Sequence, residues 1–199
     1  AVAELQGPDP DLIPVTETVC SWLTRIGEED GIFRVEKLEG DITSENLDDV
    51  LAGIDPDAVD LVVYGVYDLP GASVRLVLST TCTAGSMAGQ SIHFHLDLEG
   101  MLLLNEIVPG SEPPERIRAL TDFIMAYAWI SLDSLGLAGE YLDRALASGD
   151  ELPQGIAAIG YGLRSHVRLI EGIAVGALDD AERALALYPN EPLFYYYRG

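Results

Sequence analysis

The chain has 199 residues, of which 48% are hydrophobic, which is enough for a folded core and excludes intrinsic disorder. It carries 33 acidic and 11 basic residues, for a net charge of −22. Because phosphate contacts dominate nucleic-acid affinity, so acidic a chain excludes nucleic acid as a partner and disfavours anionic membrane surfaces. No run of about 18 apolar residues occurs, so no membrane insertion is expected in this segment. A cytoplasmic location is favoured, and an extracytoplasmic one stays open if a signal or anchor precedes residue 1.

The first part of the chain, residues 1–110, mixes strand and helix patterns. Helical spacing of apolar residues predicts one helix that starts near Leu12 and stops at Gly27, and a second helix over 41–54. Strands are predicted in AVAEL, in GIFRVEKL, in the two halves of VDLVVYGVYDLPGASVRLVLSTTCT, and in SIHFHLDL. Helices interleaved with the early strands predict an α+β or α/β domain, with a mixed sheet and helices covering one of its faces.

The segment VPGSEPPER, with three prolines in nine residues, marks a domain boundary near residue 110. Beyond it, residues 111–199 show helical patterns throughout, and a proline at position 113 or 114 suits a helix start. The sequence therefore predicts an all-α second domain over 111–199.

This second domain contains an internal period of 34 residues. Tyr161 and Tyr195 are separated by 34 positions, and so are Arg164 and Arg198. With the ending RALALYPNEP, the segment 158–191 resembles the tetratricopeptide repeat (TPR) family, a helix–turn–helix array. The resemblance implies inter-repeat packing roles for Tyr161, Ser165, Gly172, Ala177, Ala184, Pro189 and Tyr195.

The TPR resemblance also extends to both sides of this segment. Residues 115–150 match as a degenerate first repeat, because DRALASG echoes ERALALY, and residues 192–199 match the start of a further repeat. A longer array is therefore expected, of which these residues are a piece, with Tyr195 placed as Tyr161 is. Arg164, Arg168 and Ala181 depart from the family pattern, which often has leucine, tyrosine and a large aromatic residue there, so looser packing is expected.

Residues 1–110 resemble the amino-terminal α/β domain of TolB-like proteins, through VDLVVYGVYDLPGASVRLVLSTT and the predicted order of elements. Such domains often precede TPRs in bacterial multidomain proteins. The resemblance implies a role in sensing or protein interaction and transfers no catalytic residue.

The segment HFHLD holds the best candidate for a metal site. Because side chains alternate along a strand, His93, His95 and Asp97 would share one face, and two histidines with a carboxylate can bind zinc or iron. A half-exposed polar sheet face explains the same pattern, and no further ligand is marked. The prediction is therefore no metal and no cofactor. Metal or small-ligand binding in 1–110, enzymatic through His93 and His95, is the alternative.

The function that follows is a non-enzymatic interaction, scaffold or sensor module whose TPR surface binds a peptide or partner domain. The family pattern implies a groove lined by Ile159, Gly162, His166 and Leu169. These positions lack the basic residues that clamp a peptide carboxylate, and the chain is acidic, so basic or apolar partners are expected rather than acidic ones. The aromatic segment LFYYYR is also expected to support self-association.

Overall fold

In a computed structural model, the chain divides into two compact units, Ala1–Pro114 and Glu115–Gly199, close to the predicted boundary at residue 110. The backbone is described for residues 2–4, 15–31, 35, 37–41, 62–68, 73–82, 92–103, 106–147 and 151–198. Side chains are described for residues 15–31, 35, 106–130, 132–147 and 151–198. Each unit is described by itself.

The backbone of the first unit contains strands and one long helix. The strands are β1 (Val2–Glu4), β2 (Lys37–Asp41), β3 (Val62–Asp68), β4 (Ser73–Cys82) and β5 (Ile92–Leu103). They lie in the order β2-β1-β3-β4-β5, with β1 parallel to both of its neighbours and β3, β4 and β5 antiparallel. The predicted strand GIFRVEKL overlaps β2 only at its end, and the predicted helix over 41–54 lies outside the described residues except at Asp41, which ends β2.

Helix α1 (Val15–Asp30) follows β1. Its apolar stripe Val15, Val19, Trp22 and Ile26 is buried, as the spacing predicts. The predicted stop at Gly27 was wrong: the helix continues for another turn. It ends at Gly31, whose φ of +67° favours glycine and whose N–H donates to the carbonyl of Gly27 at 2.8 Å.

The predicted fold class requires correction. The 107 residues with described side chains are 79% helical, with six helices and no strand, so the fold class they support is all-α and not α+β or α/β. The strands listed above are described by their backbone alone. β-Branched alternation reports local backbone preference, and it does not say which elements build the interior.

The second unit is a series of helices in which each packs on the next, and α4 also packs on α6. The helices are α2 (Glu115–Ser131), α3 (Leu135–Ala147), α4 (Gln154–Ile170), α5 (Ala174–Leu187) and α6 (Pro192–Arg198). Two tight turns join α2 to α3 and α4 to α5. Each turn holds a residue in the left-handed region, Asp133 at φ 59° and Gly172 at φ +78°. The unit therefore consists of two helical hairpins followed by a short helix.

Small side chains allow these helices to approach closely. Ala126 and Ala138 are fully buried where α2 meets α3, beside Tyr141 and Leu142. Between α4 and α5, the same role falls to Ala158, Ala181 and Ala184, which form a second core with Phe194 and Tyr197 of α6. This second core fixes α6 against the preceding hairpin and so positions the candidate site.

Candidate functional site: the cleft between helices α4 and α6

A cleft of ≈ 360 Å³ opens between α4 and α6. Helix α4 contributes Gly155, Ile159, Gly162 and Leu163. The segment that ends in α6 contributes Tyr188, Glu191, Leu193, Phe194 and Tyr197. The volume lies in the range of about 300–1,000 Å³ that small-molecule pockets occupy, and the lining is mostly aliphatic and aromatic, as such pockets are.

The wall formed by α6 depends on a glycine in α4. The ring of Phe194 is 4% exposed and lies directly over Gly162. A Cβ at position 162 would stand 2.5 Å from Cε1 and 2.8 Å from Cδ1 of that ring, which is closer than atoms pack. The absence of a side chain at Gly162 is therefore what allows α6 to dock.

Tyr197 completes this wall one turn further along α6. It is buried, and its ring lies 5.4 Å from the ring of His166, centroid to centroid. Burial raises the pKa of the Tyr197 hydroxyl, and the charge of Tyr196 adds to the increase. The wall is therefore an aromatic pair, Phe194 and Tyr197, seated on Gly162 and His166.

The rim of the cleft leaves apolar surface open to solvent. Ile159 is 36% exposed, Leu193 is 48% exposed, and Tyr188 is also exposed. Glu191 is the single charged residue among the lining residues, and its Oε1 accepts a long hydrogen bond of 3.4 Å from the N–H of Leu193. The cleft can therefore bind an apolar group and offers one carboxylate beside it.

The four predicted groove residues differ in whether they line the cleft. Ile159 and Gly162 line the cleft, and His166 is not among the lining residues but packs its ring against Tyr197, which is. Leu169 is exposed one turn further along α4 and is not among the lining residues. Of the predicted groove, therefore, only the two residues nearer the start of α4 line the cleft.

Three of the predicted packing residues lie where α4 meets α5. The hydroxyl of Ser165 donates to the carbonyl of Ala177 at 2.7 Å, and both residues are fully buried. Ala184 is fully buried in the second core. The small residues at these positions hold the hairpin closed.

The remaining predicted packing residues lie nearer the surface. Tyr161 is half-buried, with the guanidinium groups of Arg164 and Arg183 at 5.4 and 5.6 Å from its ring centroid. Gly172 forms the exposed α4–α5 turn, and Pro189 is exposed, with its carbonyl accepting a hydrogen bond from the Tyr195 hydroxyl at 3.0 Å.

Tyr195 was expected to sit as Tyr161 does, and the two differ in burial. Tyr195 is exposed and lies under the guanidinium of Arg198, at 5.1 Å from its ring centroid. The aromatic residues that the chain buries within itself are Phe194 and Tyr197, while Tyr196 remains 77% exposed. The residue of α6 that packs inward is thus Phe194, one position before the predicted Tyr195.

Sequence reasoning missed a buried charge network beside the site. Asp180 of α5 is 2% exposed at its side chain and accepts hydrogen bonds from Arg164 Nε at 2.8 Å, Arg164 Nη2 at 2.7 Å and Arg168 Nη1 at 2.7 Å. Asp143 of α3 accepts from the same two arginines, at 2.8 Å from Arg164 and 3.2 Å from Arg168. The network therefore joins α3, α4 and α5.

The charges of this network balance one another. Desolvation by burial acts to lower the pKa of Arg164, but hydrogen bonding to Asp180 and the charges of Asp180 and Asp143 outweigh it and raise that pKa. Arg164 and Arg168 were noted only as departures from the family pattern that would loosen the packing. Two arginines one turn apart at core positions were the signal that carboxylate partners had to exist.

The metal candidates lie on β5. In the β4–β5 ladder, His93 pairs with Thr81, His95 with Ser79, and Asp97 with Val77, and their side chains lie outside the described residues. Among the side chains that are described, no group of three or more His, Cys, Asp or Glu is placed to hold a metal ion.

Comparison with family models, curated proteins and solved structures found no match for this chain. Within the described part of the chain, no helix has the length and apolar character needed to cross a membrane.

Proposed function

We propose that residues 115–198 form a non-enzymatic, TPR-like interaction module that binds a segment of a partner protein in the α4–α6 cleft. The observation that carries the proposal is the cleft itself, an apolar opening of ≈ 360 Å³ between the first helix of one hairpin and the helix that follows that hairpin. Support for the TPR-like character comes from the 34-residue spacing and from two consecutive helical hairpins with small residues at their contacts.

The chemistry of the cleft selects the partner. Ile159, Leu163 and Leu193 provide an aliphatic surface for a large apolar side chain, and Glu191 provides a carboxylate beside it. The unit that contains the cleft, residues 115–199, carries 12 acidic and 7 basic side chains, and this acidic excess favours basic segments over acidic ones. The proposed ligand is therefore an apolar residue followed or preceded by lysine or arginine within a short peptide.

Fluorescence anisotropy with two matched peptide pools would test this proposal. One pool carries an apolar anchor beside a basic residue, and the other carries the same anchor beside acidic residues. We expect binding of the first pool to weaken as salt is raised, since the attraction is partly electrostatic. Preference for the acidic pool, or equal binding of both, would contradict the proposed partner chemistry.

Two substitutions separate the apolar and charged contributions. Leu193→Ser removes exposed apolar surface from the cleft. We expect about a tenfold loss of affinity, because that is the free energy gained when one apolar side chain is partly buried. Glu191→Gln should cost about 2- to 5-fold, in line with an exposed ion pair. Val175→Ser is the matched control, because Val175 is exposed on α5 and does not line the cleft. An unchanged affinity in Leu193→Ser would place the binding site elsewhere.

A further inference from the structure

Tyr197 presents an unused hydroxyl to the α4–α6 cleft. The residue is 9% exposed, and its ring packs against the rings of His166 and Tyr196. Its hydroxyl forms no hydrogen bond within the described part of the chain, yet it is not sealed from solvent. Since the open space that Tyr197 borders is the cleft, the hydroxyl reaches that space.

The ring of Tyr197 is held in place by the seat that Gly162 and His166 form on α4. Helix α6 has seven residues, and helices shorter than about 12 residues are unstable alone in water, so its rings take fixed positions through docking. Phe194 docks over Gly162, and Tyr197 docks one turn later against His166. A hydroxyl on a ring already fixed in this way loses little freedom when it binds a ligand.

The other two tyrosines of α6 do not offer a hydroxyl to the cleft. The hydroxyl of Tyr195 already donates to the carbonyl of Pro189 at 3.0 Å, and Tyr196 is 77% exposed. Neither of them lines the cleft. The hydroxyl of Tyr197 is therefore the one that α6 directs to the ligand.

A donor is what the rest of the lining lacks. Glu191 is a carboxylate and only accepts hydrogen bonds. Ile159 and Gly162 lie inside α4, where each backbone N–H is bonded to the carbonyl four residues earlier. The other hydroxyl of the lining, that of Tyr188, belongs to a side chain that is 53% exposed at the rim. Among the lining residues, Tyr197 thus supplies the buried donor.

A peptide in this cleft requires such a donor. When an apolar side chain enters the cleft, the backbone carbonyls next to it are carried toward an apolar surface. A carbonyl that loses water there without gaining a donor costs free energy comparable to a lost hydrogen bond. The apolar lining therefore makes a correctly placed hydroxyl decisive for the affinity of the backbone.

We propose that the Tyr197 hydroxyl donates a hydrogen bond to a backbone carbonyl of the bound peptide, next to the apolar residue that fills the cleft. This inference rests on the proposed function and assigns Tyr197 as a specificity-determining residue of the same site. A helical segment has bonded its carbonyls to its own N–H groups, whereas an extended segment has them free. The ligand is accordingly an extended peptide segment.

The substitution Tyr197→Phe tests the hydroxyl by fluorescence anisotropy, with the peptide pool that carries an apolar anchor beside a basic residue. We expect affinity to fall about 3- to 10-fold, as for the loss of one neutral hydrogen bond. Tyr196→Phe is the matched control, because it removes the same group from the same helix outside the lining, and it should bind as the native chain does. Hydrogen exchange over residues 192–198 should stay unchanged in both variants, since phenylalanine keeps the packed ring.

Peptide chemistry tests the acceptor. In single peptides drawn from that pool, the carbonyl on either side of the apolar anchor is replaced in turn by a thiocarbonyl, which accepts hydrogen bonds more weakly. One of the two replacements should weaken binding to the native chain. The same replacement should have no further effect on Tyr197→Phe, as expected when both changes remove one shared bond.

Three results would overturn the proposal. Tyr197→Phe could bind as tightly as the native chain, its loss of affinity could be matched by faster exchange of α6, or neither thiocarbonyl could change binding. If Leu193→Ser weakens binding while Tyr197→Phe does not, the proposed function stands and this inference alone fails. If neither peptide pool binds, both fail.

Discussion

Replacing Asp180 by alanine should destabilise the second unit more than any other single change to its charged residues. Asp180 is 2% exposed at its side chain and accepts three hydrogen bonds of 2.7–2.8 Å from two arginines. After the substitution, the carboxylate that Arg164 and Arg168 still contact is Asp143, whose side chain is 59% exposed. Arg164 would then hold a charge at a buried position without its buried partner.

The expected loss of unfolding free energy follows from leaving a buried arginine without its buried carboxylate partner. Removing one partner of a buried ion pair costs about 3–5 kcal/mol, because the remaining charge stays buried without a partner. Asp143→Ala should cost about 1 kcal/mol or less, since Asp143 is mostly exposed and Asp180 still compensates the arginines. Asp179→Ala is the matched control: the residue is exposed on the same helix, and we expect a change within about 0.5 kcal/mol.

Urea unfolding followed by far-ultraviolet circular dichroism would measure the free energy of unfolding for each variant. Hydrogen exchange of the α4 and α5 amides would localise the loss to the second unit. If Asp180→Ala and Asp179→Ala destabilised the chain equally, the network would not hold the three helices together. A double substitution of Arg164 by leucine and Asp180 by alanine should recover much of the loss, because an apolar replacement leaves no buried charge at position 164.

Three smaller predictions concern the seat and the hairpin. Gly162→Ala should undock α6, seen as faster hydrogen exchange over residues 192–198, because its Cβ would meet the Phe194 ring at 2.5 Å; Gly155→Ala, with nothing within 4 Å, should leave α6 protected. Because burial raises the pKa of Tyr197 above its usual 10.0, its docking contributes stability below about pH 10 that is lost as the pH rises through the raised value. Thermal melts should show this loss in the native chain and a smaller one in Tyr197→Phe. Ser165→Ala should cost about 1 kcal/mol in urea unfolding through the lost 2.7 Å bond to the Ala177 carbonyl, and an unchanged midpoint would exclude that role.

Much of the second unit could be predicted from local patterns. The sequence patterns predict helices throughout residues 111–199, and the resemblance to TPRs implies contacts at the small residues 165, 177 and 184. The helical pattern depends on residues close in the chain, where helical geometry relates one side chain to the next.

Contacts between helices could not be obtained in this way. The missing side chain at Gly162 decides which aromatic residues of PLFYYYR face inward. It leaves room for the ring of Phe194, while Tyr195 stays exposed. Arg164 and Arg168 stood out from the repeat pattern, but their partners lie on two other helices, at Asp143 and Asp180. The predicted fold class was wrong for the 107 residues with described side chains, since these are 79% helical and contain no strand.

The sequence by itself therefore determined the helices of the second unit, its period and its acidic character, because these are properties of neighbouring residues and of composition. Only the tertiary structure decided the cleft, the seat of α6 and the pairing of the buried charges. Each of these depends on the distance between side chains from different helices, and that distance is set by how closely the helices pack.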